Sequence, residues 1–340
     1  MHLAEILSTV QNKADGNSDS QVNTGTLSYQ KAPEEAKEDF HISGALEDEN
    51  THELVFDDWA LSQLMARFRV PLLFFRRCSL LLRGDIFSEH ITSQQKDLLF
   101  RLSNTPGELE AAHVRAVVSD RYTAIDDVWL FPVALDILDS QKADYREFTF
   151  DDHFSVLEVT FPDTHIEHQD RTYVGGCRIT NSETGRSSVW IEPTVKLDNR
   201  YFVNRTAVRE QELPTRVIHR GKTYEDKIKN LVITAKKIAQ VGIIQLEEAR
   251  EKIFDTKLFL KSIEKDPVFS SRIRGVLAEQ WKAQEIVLAL DAAKEILDLA
   301  EQLPLFARIP LQQAAGKLTG LFSGHKNRMA SLVKELNQRS

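Results

Sequence analysis

Cysteine is nearly absent. Cys78 and Cys177 are the only two in 340 residues, too few for a disulfide framework, so a reducing compartment is expected. Glycine and proline are sparse, at 14 and 10, which excludes collagen-like and low-complexity chains. No uncharged apolar run approaches the roughly 20 residues of a membrane span. The opening Met1-His2-Leu3-Ala4-Glu5 lacks the basic and apolar regions of a secretion signal. The expectation is a cytoplasmic protein with no membrane partner. What is present, 42% hydrophobic and 28% charged residues, suffices for a real core.

The formal charge of −8 is unevenly spread. Residues 1–60 carry 13 acidic and 3 basic side chains, whereas the remaining 280 hold 40 basic and 38 acidic groups and are near neutral. Within that body Arg200 to Lys237 holds ten basic residues against Glu210, Glu212, Glu225 and Asp226. Such a stretch is either a solvated face or a phosphate-binding one.

Residues 10–50 are polar, without sustained period, and read as a mobile stretch within an acidic tail over 1–54. At Asp57-Asp58 a carboxylate cap precedes Trp59, Leu61, Leu64, Met65 and Phe68 at helical spacing. Pro71 opens a second helical piece, and Ser79 to Leu102 reads as one or two more helices. His113 to Val118 reads as a strand, and Asp126-Asp127 as the cap of a helix running through Leu138. Phe148 to Phe161 alternates as one β stretch, and Tyr173–Thr180 and Ser188–Leu197 flank a hairpin loop at Asn181-Ser182-Glu183-Thr184-Gly185-Arg186. Thr215 to Ile218 adds a short strand. From Tyr224 onward the pattern predicts about four helices, broken near Val241-Gly242, Asp266-Pro267 and Leu303-Pro304. The predicted class is α+β: N-terminal helices, a central antiparallel sheet of about four to six strands, and a C-terminal helical region. Its divisions are the tail at 1–54, a core at 55–222 and helices over 223–340.

Catalytic motifs are weak. Gly221-Lys222-Thr223 ends like a phosphate loop, but Arg216 stands where its first glycine belongs. Thr223-Tyr224-Glu225-Asp226 has the spacing of a capping box. Asp163, His165, His168 and Asp170 are residue types that ligate metals, without a strong ligand spacing. Ser187 and Ser188 lack a nucleophile context, and Cys177 reads as core packing. No catalytic residue, metal site or cofactor is therefore expected.

Several separate pieces resemble one family. They are Asp58-Trp59-Ala60-Leu61-Ser62-Gln63-Leu64 with Arg69-Val70-Pro71, Val114 to Tyr122, Asn181 to Gly185 with Ser187-Ser188, and His219 with Gly221. Together they resemble the phage/plasmid-like proteins catalogued as domain of unknown function 932, over about residues 55–240. In place of the Cys-x-Asn-Gly segment common there, this chain has Arg200-Tyr201-Phe202-Val203-Asn204-Arg205. The resemblance implies a phage or plasmid setting in a bacterial cytoplasm. The element pattern is also similar in outline to single-strand annealing proteins of recombination. The expected function is nucleic-acid binding without covalent catalysis, on single-stranded DNA ahead of duplex, with a homo-oligomer as a further partner. Arg200, Arg205, Arg216, Arg220, Lys222, Lys227 and Lys229 would neutralise phosphates, while Tyr201 and Phe202 stack bases. The competing expectation is a structural or host-partner-binding phage protein.

Overall fold

The computed structural model describes residues 3–31, 40–47, 50–103, 111–168, 171–203, 216–217, 224–266, 268–282 and 284–321. Helix α1 (Leu3–Ala14) places Ile6 and Val10 one turn apart on its buried face. Four strands follow, β1 (Asn17–Asn23), β2 (Ser28–Lys31), β3 (Phe40–Ala45) and β4 (Thr51–Phe56). Asp57 then caps α2 (Asp58–Arg67), its carboxylate accepting from the Ala60 amide at 2.5 Å. Pro71 leads α3 (Leu72–Arg77), and the Ser79 hydroxyl accepts from Leu82 N at 3.4 Å at the head of α4 (Leu80–Ile86). Strands β5 (Asp97–Ser103) and β6 (Ala111–Ser119) complete a six-stranded sheet in the order β1-β5-β6-β4-β3-β2. Only the β4–β6 pair in it is parallel. Val22, Leu54, Phe100 and Val117 pack against Leu61, Leu64 and Met65 of α2 in one hydrophobic cluster.

Two expectations are corrected here. The described residues of 1–54 are not a mobile tail, because α1, β1–β3 and the start of β4 lie among them and β1 pairs with β5 along its whole length, Asn17 opposite Ser103 through Asn23 opposite Asp97. A strand as polar as Asn17–Asn23 is stabilised by its distant partner and not by its own composition. The stretch Ser79–Leu102 is not all helix, since Asp97 onward belongs to β5.

The second sheet follows α5 (Asp127–Ser140). Strands β7 (Asp144–Phe150), β8 (Ser155–Thr160), β9 (Ile166–His168), β10 (Arg171–Asn181), β11 (Val189–Leu197) and β12 (Arg200–Phe202) form an antiparallel sheet in the order β12-β11-β10-β8-β7. β9 pairs with β10, and β13 (Arg216–Val217) with the start of β11. The expected hairpin is present, Thr180 facing Trp190 and Tyr173 facing Leu197. Phe148–Phe161 is two strands, not one: Asp151 Oδ1 accepts from the amides of His153 and Phe154, both at 2.7 Å, and reverses the chain.

Helix α6 (Glu225–Glu248) joins two cores. Its first half, with Ile228, Leu231, Val232 and Ala235, packs with α1, α5 and the sheet residues Leu157, Val159 and Ile179. Its second half, through Ile238, Val241, Ile243 and Leu246, packs with Tyr173, Val195 and the last helices. The boundary at 222/223 therefore does not separate two cores, and α6 runs unbroken through Val241-Gly242, where a helix end was expected. Beyond it come β14 (Ile253–Asp255), α7 (Thr256–Ser262), α8 (Ser271–Gln280), β15 (Ile286–Leu288), α9 (Ala289–Ala300) and α10 (Leu305–Thr319). Under α10 the sheet is polar: Arg178 Nε donates to Glu158 Oε1 at 2.7 Å, and its Nη2 to Gln312. The class is α+β, with two large sheets and a two-stranded β14–β15 pair where one sheet was expected.

Candidate functional site

The β10–β11 hairpin loop receives Trp59 and Gln63 of α2 and Tyr122, which follows β6, whereas His219 and Gly221 lie outside the described residues. The loop closes on itself through the Ser182 hydroxyl, which accepts from Arg186 N at 3.0 Å. Gly185 has φ +74°, and a Cβ there would stand 3.3 Å from Val118 Cγ1. Gly185→Ala should therefore destabilise the protein by about 1–2 kcal/mol through left-handed backbone strain, read from its urea midpoint.

Glu183 is the centre of this loop, 4% exposed. Its Oε2 takes Arg115 Nη1 at 2.8 Å, and its Oε1 takes the Asp127 amide at 2.8 Å, at the N-terminus of α5. Its main-chain oxygen accepts from Arg101 Nη1 at 2.7 Å and from Tyr122 Oη at 3.3 Å. One residue on, the Thr184 carbonyl accepts from Trp59 Nε1 and Gln63 Nε2, both at 3.0 Å, while Gln63 Oε1 accepts from Val117 N at 2.8 Å. Asn181 Nδ2 donates to Ile125 O and Asp127 Oδ1, both at 2.8 Å. Lys13 Nζ reaches Asp127 Oδ2 at 3.0 Å and Glu183 at 3.8 Å, so α1 is tied to the same cluster. The Ser155 hydroxyl donates to Asp127 as well.

A β-bulge places the two arginines. Arg101 faces Ala116 and Leu102 faces Val114, so Arg115 is the extra residue of β6, and both guanidinium groups reach Glu183. Arg101 also binds Asp19 at 2.9 Å and Asp126 at 2.7 Å. Burial opposes the Arg101 charge, but these two carboxylates more than restore it and its pKa is raised. Burial by itself would raise the Glu183 carboxyl; Lys13 and Arg115 outweigh that and hold it below the usual glutamate value. Asp127 moves the other way: burial, reinforced by the Glu183 charge, pushes its carboxyl up despite Lys13, Ser155 and Asn181. One carboxylate is thus held ionised beside another whose charge is disfavoured. At the loop's outer edge the exposed Arg186 guanidinium lies 4.7 Å from the Trp59 ring centroid.

The residues expected to bind nucleic acid are described only in part. Arg200 is committed to Asp298, at 2.6 and 2.9 Å. Phe202 is fully buried against the C-terminal helices, so its ring has no face for a base; this corrects the stacking role. Tyr201 is half-buried, and burial pushes its phenol up to about 12. Lys227 is exposed and Lys229 half-exposed at the start of α6. Arg205, Arg220 and Lys222 lie outside the described residues, as do Thr223 of the capping box and the side chain of Arg216. Tyr224 occupies the cap position of α6 without a side-chain cap bond.

The candidate metal residues pair elsewhere. Asp163 takes Lys236 at 2.6 Å, His165 stands 3.6 Å from Glu167, His168 Nδ1 lies 2.9 Å from Glu247, and Asp170 is outside the described residues. Cys177 is buried as expected, and burial raises its thiol pKa.

Sequence reasoning missed a basic surface. From Trp59 to Gly84, across α2, α3 and α4, the chain has Arg67, Arg69, Arg76, Arg77 and Arg83 and no carboxylate. Arg67, Arg69 and Arg77 are exposed, and Arg76 pairs with Asp58. Leu73, Phe74, Leu81 and Leu82 are exposed among them, Leu81 by 79%. The available signal was a five-arginine run free of acid in a chain of net charge −8. No family model matches the chain, and neither a curated protein nor a solved structure matches it.

Proposed function

We propose that the protein is a nucleic-acid-binding accessory of the kind encoded by phages and plasmids, holding or aligning single strands without covalent chemistry. The observation that carries this reading is the segregation of charge from Trp59 to Gly84, five arginines without a carboxylate in an acidic chain, flanked by Asp58, which pairs with Arg76, and by Asp85. Guanidinium groups pair with phosphates in bidentate fashion and stack on rings, which suits an extended strand. Lys227 and Lys229 extend the candidate set from the start of α6. The Glu183 cluster supports the reading indirectly, since it fixes Trp59, on the first turn of α2, against the hairpin and so anchors the first of the three arginine-bearing helices.

The exposed Leu73, Phe74, Leu81 and Leu82 favour a second reading, a host-protein docking surface. A titration against a single-stranded oligonucleotide at two salt concentrations separates the two. Under the first reading the Arg67→Ala, Arg69→Ala, Arg77→Ala triple variant should reduce the logarithmic salt slope by about 2, at roughly 0.7 per lost phosphate contact. Leu73→Ser with Leu81→Ser should leave that slope unchanged. Absence of binding by the parent protein, or an unaltered slope in the arginine variant, would turn preference to protein docking.

A further inference from the structure

A cavity of about 480 Å³ opens at the end of the first sheet. Asn17, Ser103 and His113 stand in one row across β1, β5 and β6, because Asn17 faces Ser103 and Ser103 faces His113, so their side chains share a face and line the cavity. Lys13 and the bulge residue Arg115 also line it. Arg115 is 6% exposed and spends Nη1 on Glu183, yet its Nε and Nη2 are buried and have no hydrogen-bond partner among the described residues. Those two nitrogens form one edge of the planar guanidinium, the edge whose spacing matches two oxygens of a carboxylate or phosphate. A buried arginine held by one carboxylate with a complete donor edge unspent is an unusual arrangement, since buried donors are normally satisfied.

We propose that this cavity binds a small oxyanion, a phosphate or a carboxylate, on the Nε–Nη2 edge of Arg115, with Lys13, Asn17 and Ser103 as neighbouring donors. Asp57 and the exposed Asp152 also line the cavity. Their charge disfavours a polyphosphate and favours a compact oxyanion that itself offers a hydroxyl or ammonium donor. The site is separate from the arginine-rich helices, so it stands or falls independently of the nucleic-acid reading.

Equilibrium dialysis of the full chain against labelled inorganic phosphate and, separately, labelled acetate tests this. One saturable site per chain is expected for at least one of the two, and the preferred probe identifies the class. Arg115→Lys keeps a cation beside Glu183 but removes the planar edge, and should weaken binding at least tenfold. Ser103→Leu narrows the cavity without touching the Glu183 cluster and should do the same, which keeps the test valid if the arginine variant folds poorly. Lys282→Ala, beyond α8, should bind as the parent does. No saturable uptake of either probe, or equal affinity in Ser103→Leu and the parent, would overturn the proposal.

Discussion

Glu183→Ala should lower the stability of the protein by about 3–5 kcal/mol, the largest effect of any single substitution at the hairpin. Its removal leaves Arg115 as a buried cation, the Asp127 amide as a buried donor at a helix start, and Lys13 with Asp127 alone of the two carboxylates. Chemical denaturation should show the midpoint falling with an unchanged slope. Glu183→Gln keeps an acceptor and should lose less. The pH dependence has a defined sign. Because the Glu183 carboxyl is held below its ordinary value of 4.5, its stabilisation is complete above that pH and is lost as acid takes the medium down through the lower folded value. Asp127, raised from 3.8, works in the opposite sense and contributes less stability as pH climbs through its folded value. Glu183→Gln should therefore flatten the acid limb of the stability profile, and Asp127→Asn should steepen it.

Deleting residues 1–16 should unfold the protein. That segment supplies Ile6 and Val10 to the core beneath α5, each stabilising by about 1.5–3 kcal/mol. It also carries Lys13, whose loss leaves Asp127 without its cation, at about a further 3–5 kcal/mol. Together these reach about 6–11 kcal/mol, comparable to the whole stability of a typical domain. Circular dichroism and limited proteolysis of the truncated chain would check this; a stable, protease-resistant remainder would show that α1 is dispensable and restore the view of the N-terminus as a tail.

That segment also shows where sequence reading stops. The hairpin at Asn181–Arg186 was legible because turn chemistry is local, as was the cap of α2 at Asp57. β1 was not: only Ser20 and Val22 of Asn17–Asn23 are buried, and its order comes from β5, some 80 residues away in the chain. The Glu183 cluster was invisible for a similar reason, since Lys13, Arg101, Arg115, Asp127 and Glu183 are brought together by strand pairing and a bulge that no local pattern records. A trace did exist. Arg101 and Arg115 interrupt apolar strand runs, and a charge inside such a run must be paired if the strand is buried. Phe202 failed as a stacking candidate because the flanking Arg200 and Arg205 suggested an exposed segment, while its neighbours in space are Tyr173 and Val195. The surface of α2–α4 was overlooked because its arginines are spaced by leucines and phenylalanines, which hide a charge run within a hydrophobic one.

The hairpin loop acts as a charged hub joining α1, α5 and the two large sheets. A double-mutant cycle on Arg115 and Glu183 tests it most directly, with stability measured for the parent, Arg115→Met, Glu183→Gln and the pair. Strong non-additivity is expected, the double variant being more stable than the sum of the single losses by about 1–3 kcal/mol, because removing both partners leaves neither charge orphaned. Losses that add to within about 0.5 kcal/mol would show that the two residues do not share a buried interaction and that the loop is no such hub.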